Sequence, residues 1–164
     1  MKSYSDLTTS NKIYAETFTD GDLTSQALGE LAILTCMDTR INPLAILGLR
    51  IGEAKILRNA GGRITDDVIR SLVLAKSFLG VKKIIIMHHT DCALAYTTNH
   101  EIYERLSGEL RELVGTRDFL PMENPDNSLS EDVKSLATNP IFTDMVIEGW
   151  RYDVRTGKAA QLYG

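Results

Sequence analysis

Residues 54–88, AKILRNAGGRITDDVIRSLVLAKSFLGVKKIIIMH, place two short apolar runs on either side of a helix signal. The runs at 54–58 and 83–88 are brief and rich in aliphatic residues, as strands of a parallel sheet covered on both faces are. The segment between them predicts a helix from about 66 to 79. Thr65 caps it, Asp66 and Asp67 favour its positive end, and Gly80 stops it. Val68, Ile69, Leu72, Val73 and Leu79 form its buried stripe. Strand, helix and strand make a βαβ unit. With the further apolar run at 31–35, this unit predicts an α/β fold with a mainly parallel central sheet flanked by helices.

Downstream, Ile102, Tyr103, Leu106, Leu110 and Leu113 recur at helical spacing and predict a helix over about 100–114. Another is expected from Ser130 to about Thr138. Residues 115–129, with Gly115, Pro121 and Pro125, read as a surface loop. Met145 to Asp153 reads as a strand, and Thr156-Gly157 as a turn into Lys158 to Tyr163. That hairpin predicts an outer strand running antiparallel on the sheet edge. No internal repeat or low-complexity tract interrupts the 164 residues, and the expected organisation is one domain spanning 1–164.

A hydrophobic content of 43% and a charged content of 24% suit an ordinary globular protein. The net charge of -4 and the lack of a basic patch argue against nucleic acid as a partner. Met1 to Asp20 is polar and acidic, and no run is long enough to cross a bilayer, so no membrane association is expected. The expected location is the cytoplasm, where two cysteines read as metal ligands or free thiols before a disulfide.

The two cysteines and one of three histidines sit at the ends of apolar runs. Cys36-Met37-Asp38-Thr39-Arg40 follows the first run, and His89-Thr90-Asp91-Cys92 follows the third. Open α/β sheets place their sites at the carboxyl ends of strands, so both groups are expected in one crevice. Two thiolates and an imidazole are ligands that zinc prefers. Three of them leave a fourth position open, where bound water loses its proton near pH ~7 instead of near ~16. His89 and Cys92 have a spacing that one helical turn aims at a single ion. Buried cysteines and a histidine without metal are the competing reading, and a structural zinc would need a fourth ligand such as Asp38.

Arg40 is spaced to grip Asp38 by a bidentate bond, which would let that carboxylate orient a zinc-bound hydroxide. An inconsequential surface salt bridge is the alternative. Asn59, Gly61 and Gly62 leave the second strand where backbone N–H groups can face an anion or substrate, although a Gly-Gly pair there is also a simple tight turn. His88 should point to the opposite sheet face from His89. Asp91 is expected only as a helix cap, and His100 as an exposed residue.

Cys36-Met37-Asp38-Thr39-Arg40, Arg58-Asn59-Ala60-Gly61, Arg70-Ser71-Leu72 and His89-Thr90-Asp91-Cys92 occur in an order and spacing that resembles the β-class carbonic anhydrases, particularly their short prokaryotic-type members. The resemblance covers about 31–93 strongly and the last strand and hairpin more loosely. It implies one zinc per subunit on Cys36, His89 and Cys92, with Asp38 and Arg40 as a catalytic dyad. It also implies a homodimer or dimer of dimers, with each active site near the subunit interface. The implied reaction is reversible hydration of carbon dioxide to bicarbonate by zinc-bound hydroxide. Hydrolases of carbonyl sulfide and carbon disulfide resemble the same family, keep the same ligands and form the alternative. A non-catalytic zinc module, with Asp38 capping the metal, is the third reading. This chain departs from the family in carrying Ala93 where glycine usually follows the second cysteine.

Overall fold

Five strands form one sheet in the computed structural model, which describes residues 4–164. They are β1 (Leu31–Cys36), β2 (Ala54–Asn59), β3 (Lys83–His89), β4 (Val146–Tyr152) and β5 (Ala159–Tyr163), in the order β2-β1-β3-β4-β5. The first four run parallel, and β5 pairs antiparallel with β4 at the edge, as the hairpin signal predicts. Each of β1, β2 and β3 extends one residue beyond its apolar run, so Cys36 and His89 close their strands. From β1 the chain leaves toward β2 on one side, while β3 and its continuation lie on the other. That reversal creates the crevice at the carboxyl ends of β1 and β3.

The helices are α1 (Tyr4–Glu16), α2 (Pro43–Ile46), α3 (Asp66–Phe78), α4 (Asn99–Glu104), α5 (Gly108–Val114) and α6 (Pro125–Ala137). The cap on α3 is as expected: the Thr65 hydroxyl accepts from the N–H of Val68, and Gly80 follows in the left-handed region. The segment expected as one helix over 100–114 is two. Ser107 caps a new start, its hydroxyl accepting from the N–H of Leu110, so α4 ends and α5 begins. Leu110 and Leu113 are exposed and not part of a core stripe.

The helix expected from Ser130 begins five residues earlier. Asn124 caps it through the N–H groups of Asp126 and Asn127, and Pro125 occupies the first turn, where its missing N–H costs nothing. The expected surface loop is thus shorter, and it is not wholly on the surface: Met122 is buried, and its N–H donates to the Leu94 carbonyl at 2.8 Å. Neither α1 nor α2 was expected. Thr and Ser residues dilute any helical signal in α1, and α2 is a single turn set by Asn42 and Pro43.

Alternation along β1 and β3 divides the core. Ala32, Leu34, Ile84 and Ile86 face α3 and α6, packing on Leu72, Leu129 and Leu136. Ile33, Ile85 and Met87 line the other face together with Cys36, Cys92, Met122 and Tyr152. The candidate ligands therefore rest on a rigid apolar floor at the end of the two central strands.

Candidate metal centre

Cys36 ends β1, His89 ends β3, and Cys92 follows a tight turn. The two sulfurs and a ring nitrogen of His89 all lie within 4.8 Å of one another, and all three residues are buried. A helical turn does not achieve this. Asp91 takes a left-handed φ of 59°, and the chain reverses there before the 3-10 turn Ala93–Tyr96. The Thr90 N–H donates to the Tyr152 carbonyl at 2.9 Å, and the Thr90 hydroxyl accepts from the N–H of Val154 at 3.1 Å. Both bonds tie the turn to the end of β4.

His89 Nδ1 lies 2.8 Å from the Thr90 carbonyl oxygen, which can only accept, so Nδ1 carries the proton. Nε2 is then a buried lone pair with no hydrogen-bond partner among the described residues. An orphaned acceptor beside two thiols suits a cation better than a packed core. Zinc with bonds of about 2.3 Å to sulfur and about 2.0 Å to nitrogen would need these ligand atoms roughly 3.5 to 3.8 Å apart, a spacing that lies inside the 4.8 Å limit within which all three fall. The Cys92 thiol donates to the Cys36 sulfur, which pulls Cys36 down to about 4 against the opposing effect of burial. The same bond, aided by burial, pushes Cys92 up. The two sulfurs share one proton, which a divalent cation would displace.

Asp38 stands beside this cluster. The Arg40 guanidinium donates to its two oxygens at 3.0 and 2.7 Å, and the Arg40 N–H adds a bond at 2.9 Å. These contacts hold the Asp38 carboxyl well below the usual carboxylate range. Arg40 also reaches across the crevice to Asp91, which caps no helix and instead accepts from Nη1 at 2.7 Å.

Asn59, Gly61 and Gly62 have separate positions. The Asn59 side chain bonds both backbone groups of Arg63, at 2.7 and 2.9 Å, and so closes the loop. Gly62, at φ 69°, lies against the Thr35 and Cys36 backbone, where a Cβ would come within 2.9 Å. Gly61 alone of the three lines the cavity, with Ala60, and its backbone N–H is a minor influence lowering the Cys36 pKa. This cavity of about 560 Å³ is walled by Cys36, Met37, Asp38, Thr39, Arg40, Cys92, Ala93 and Leu94, and most of its lining is apolar. Ala93 is therefore part of the cavity wall.

His88 lies on the opposite face, with Nε2 at 3.1 Å from Asp132, which Arg63 also holds at 2.7 Å. His100 is exposed on α4. Sequence reasoning named two residues without finding what they do at the site. Arg58 donates to the carbonyls of Cys36, Ile41 and Asp38, at 3.0, 3.0 and 2.5 Å, and pins the loop that carries the dyad. Asp91 is the other. Both act on groups distant in sequence, so no local spacing marks them.

A family model described as carbonic anhydrase matches residues 31–159. Beta-carbonic anhydrase 1 of Mycobacterium bovis is 35% identical over 161 residues, covering 96% of each chain. Carbon disulfide hydrolase of Saccharolobus solfataricus is 35% identical over 153 residues, 78% of this chain and 74% of that protein. Among solved structures, the carbonic anhydrase of Streptococcus mutans superposes with a TM-score of 0.88 at 39% identity over 98% of both chains.

Proposed function

The chain belongs to the β-class carbonic anhydrase family, and from that premise we propose that it is a zinc enzyme catalysing reversible hydration of carbon dioxide to bicarbonate. The observation that carries the reading is the orphaned His89 Nε2 beside the sulfurs of Cys36 and Cys92. Zinc held by these three residues would lower the pKa of a water in the open position and so supply the nucleophile at ordinary pH.

The chain's own residues then do the following. Asp38, ionised by its bonds to Arg40, accepts a hydrogen bond from the nucleophilic water and aims its lone pair into the cavity. Arg58 keeps the Asp38 backbone in place. The Gly61 N–H offsets charge on the Cys36 sulfur. Leu94, Ala93 and Ala60 offer apolar surface to a small linear substrate. We assign Asp38 and Arg40 the catalytic dyad, and the whole chain, 1–164, one functional domain.

We also place the protein in the cytoplasm as a homodimer or dimer of dimers. Exposed Leu7, Ile13, Tyr14 and Phe18 along and just after α1 support an interface, being more apolar surface than a solitary helix keeps in water. Among the described residues no helix is long and apolar enough to cross a membrane.

One specific finding favours a second reading. The 35% identical relative from Saccharolobus solfataricus is a carbon disulfide hydrolase, and carbon disulfide or carbonyl sulfide is as linear, apolar and electrophilic at carbon as carbon dioxide. The deciding experiment follows carbon dioxide hydration by stopped flow and sulfide release from both sulfur substrates, on one zinc-replete sample. Fast hydration with little sulfide supports the first reading. Sulfide release with weak hydration replaces it with the second.

A further inference from the structure

We propose that Asp91 is a positioning residue for the reaction: its carboxylate and its carbonyl oxygen fasten the Arg40 guanidinium to the turn bearing His89 and Cys92, and so set where Asp38 stands relative to them. The inference rests on the hydration reading above. Arg58 holds the backbone of this loop at the Asp38 carbonyl, but the paired side chains of Asp38 and Arg40, two residues apart, can still swing together unless a group outside the loop fixes the guanidinium. Arg40 prevents this by spanning the crevice. Nε and Nη2 donate to Asp38, while Nη1 donates to Asp91 Oδ2 at 2.7 Å and Nη2 to the Asp91 carbonyl at 3.0 Å.

The backbone of Asp91 is shaped for that grip. Its φ of 59° is a conformation that non-glycine residues seldom adopt and that Asp and Asn tolerate best. In it, side-chain oxygen and carbonyl oxygen face the same guanidinium. Strain of this kind persists where surrounding contacts over-determine it, which at a crevice between candidate ligands is a mark of function. Stability is a poor explanation, because the Asp91 and Arg40 side chains are 46% and 43% exposed and a pair that open adds little. Geometry is the better one. The single cation also separates two carboxylates that would otherwise repel across the crevice.

The test compares Asp91→Gly, which keeps the left-handed turn and deletes the carboxylate, with Asp91→Asn, which keeps an acceptor without charge. Both are made in the parent and in an Arg40→Ala background. Zinc content should stay at about one per chain, and kcat of Asp91→Gly should fall about 10-fold to 100-fold with little change in KM. Asp91→Asn should fall between, and Arg40→Ala should abolish the additional effect of either substitution. A crystal structure of Asp91→Gly should show the Arg40 guanidinium displaced and Asp38 moved with it. Parental kcat in Asp91→Gly, lost zinc, an equal loss in the Arg40→Ala background or an unmoved Arg40 would each overturn the proposal. Should the parent act on neither carbon dioxide nor the sulfur substrates, the proposed function fails, while the crystallographic comparison still decides whether Asp91 holds Arg40.

Discussion

His89 gives its Nδ1 proton to the carbonyl oxygen of Thr90 at 2.8 Å, and that bond selects Nε2 as the nitrogen left beside the sulfurs of Cys36 and Cys92. The selecting partner is the residue next in sequence, held in turn by Tyr152 and Val154 at the end of β4. Ring orientation is thus built into the turn before any metal arrives.

If the cluster is a zinc site, Cys36→Ser will not retain stoichiometric metal, since a serine hydroxyl is a poor, protonated ligand at neutral pH. Metal analysis after gel filtration should read well below one zinc per chain for the variant and about one for the parent. A variant carrying full zinc would show that Cys36 is not a ligand.

Asp38→Ala should keep its zinc and lose turnover by roughly 10-fold to 100-fold, because the carboxylate orients the nucleophile without holding the metal. The pH dependence separates two groups. Arg40 depresses the Asp38 pKa, so the benefit of this ion pair is complete above about 4, the unfolded value, and disappears only as pH falls through the lower folded value. No acid limb from Asp38 should therefore appear in the working range. Two thiolates offset most of the dication's charge, so the water titrates late and activity should climb from about pH 6 to about pH 9. A flat profile across that interval contradicts this ligand set.

Gly62→Ala should destabilise the protein by about 1–3 kcal/mol, read as a lower melting temperature. Its φ of 69° disfavours any side chain, and the added Cβ would meet the Thr35 carbonyl carbon at 2.9 Å, a backbone atom that cannot step aside. An unchanged melting temperature would show that the loop relaxes freely.

Asp132→Ala should cost more, about 3–5 kcal/mol, because it leaves the Arg63 guanidinium buried without its anion. The effect should be visible by denaturant titration of metal-free and zinc-loaded protein alike, since Asp132 lies behind the sheet. Loss confined to the zinc-loaded form would point to a role at the metal instead.

Strands, the capped helix Asp66–Phe78 and the edge hairpin were legible because each is specified by neighbours in sequence: aliphatic runs, a Thr cap, a Gly stop, a Thr-Gly turn. The break between Glu104 and Gly108 was not, because hydrophobic period continues across it while Ser107 restarts the backbone bonds. Pro125 misled for a related reason. Proline marks a loop or the first turn of a helix equally well, and the side chain of Asn124 decides between them.

Local chemistry in the chain was enough to place two thiols, an imidazole and a carboxylate-guanidinium pair at strand ends, since ligand type and strand period are properties of neighbouring residues. Folding added the relations between segments far apart in sequence. The bond from Arg40 to Asp91, the hold of Arg58 on the dyad loop and the burial of Met122 beneath Gly61 depend on β1, β2 and β3 lying side by side. Hydrogen bonds and contacts fall off within a few ångströms, so such partners exist only once the sheet has brought their strands together.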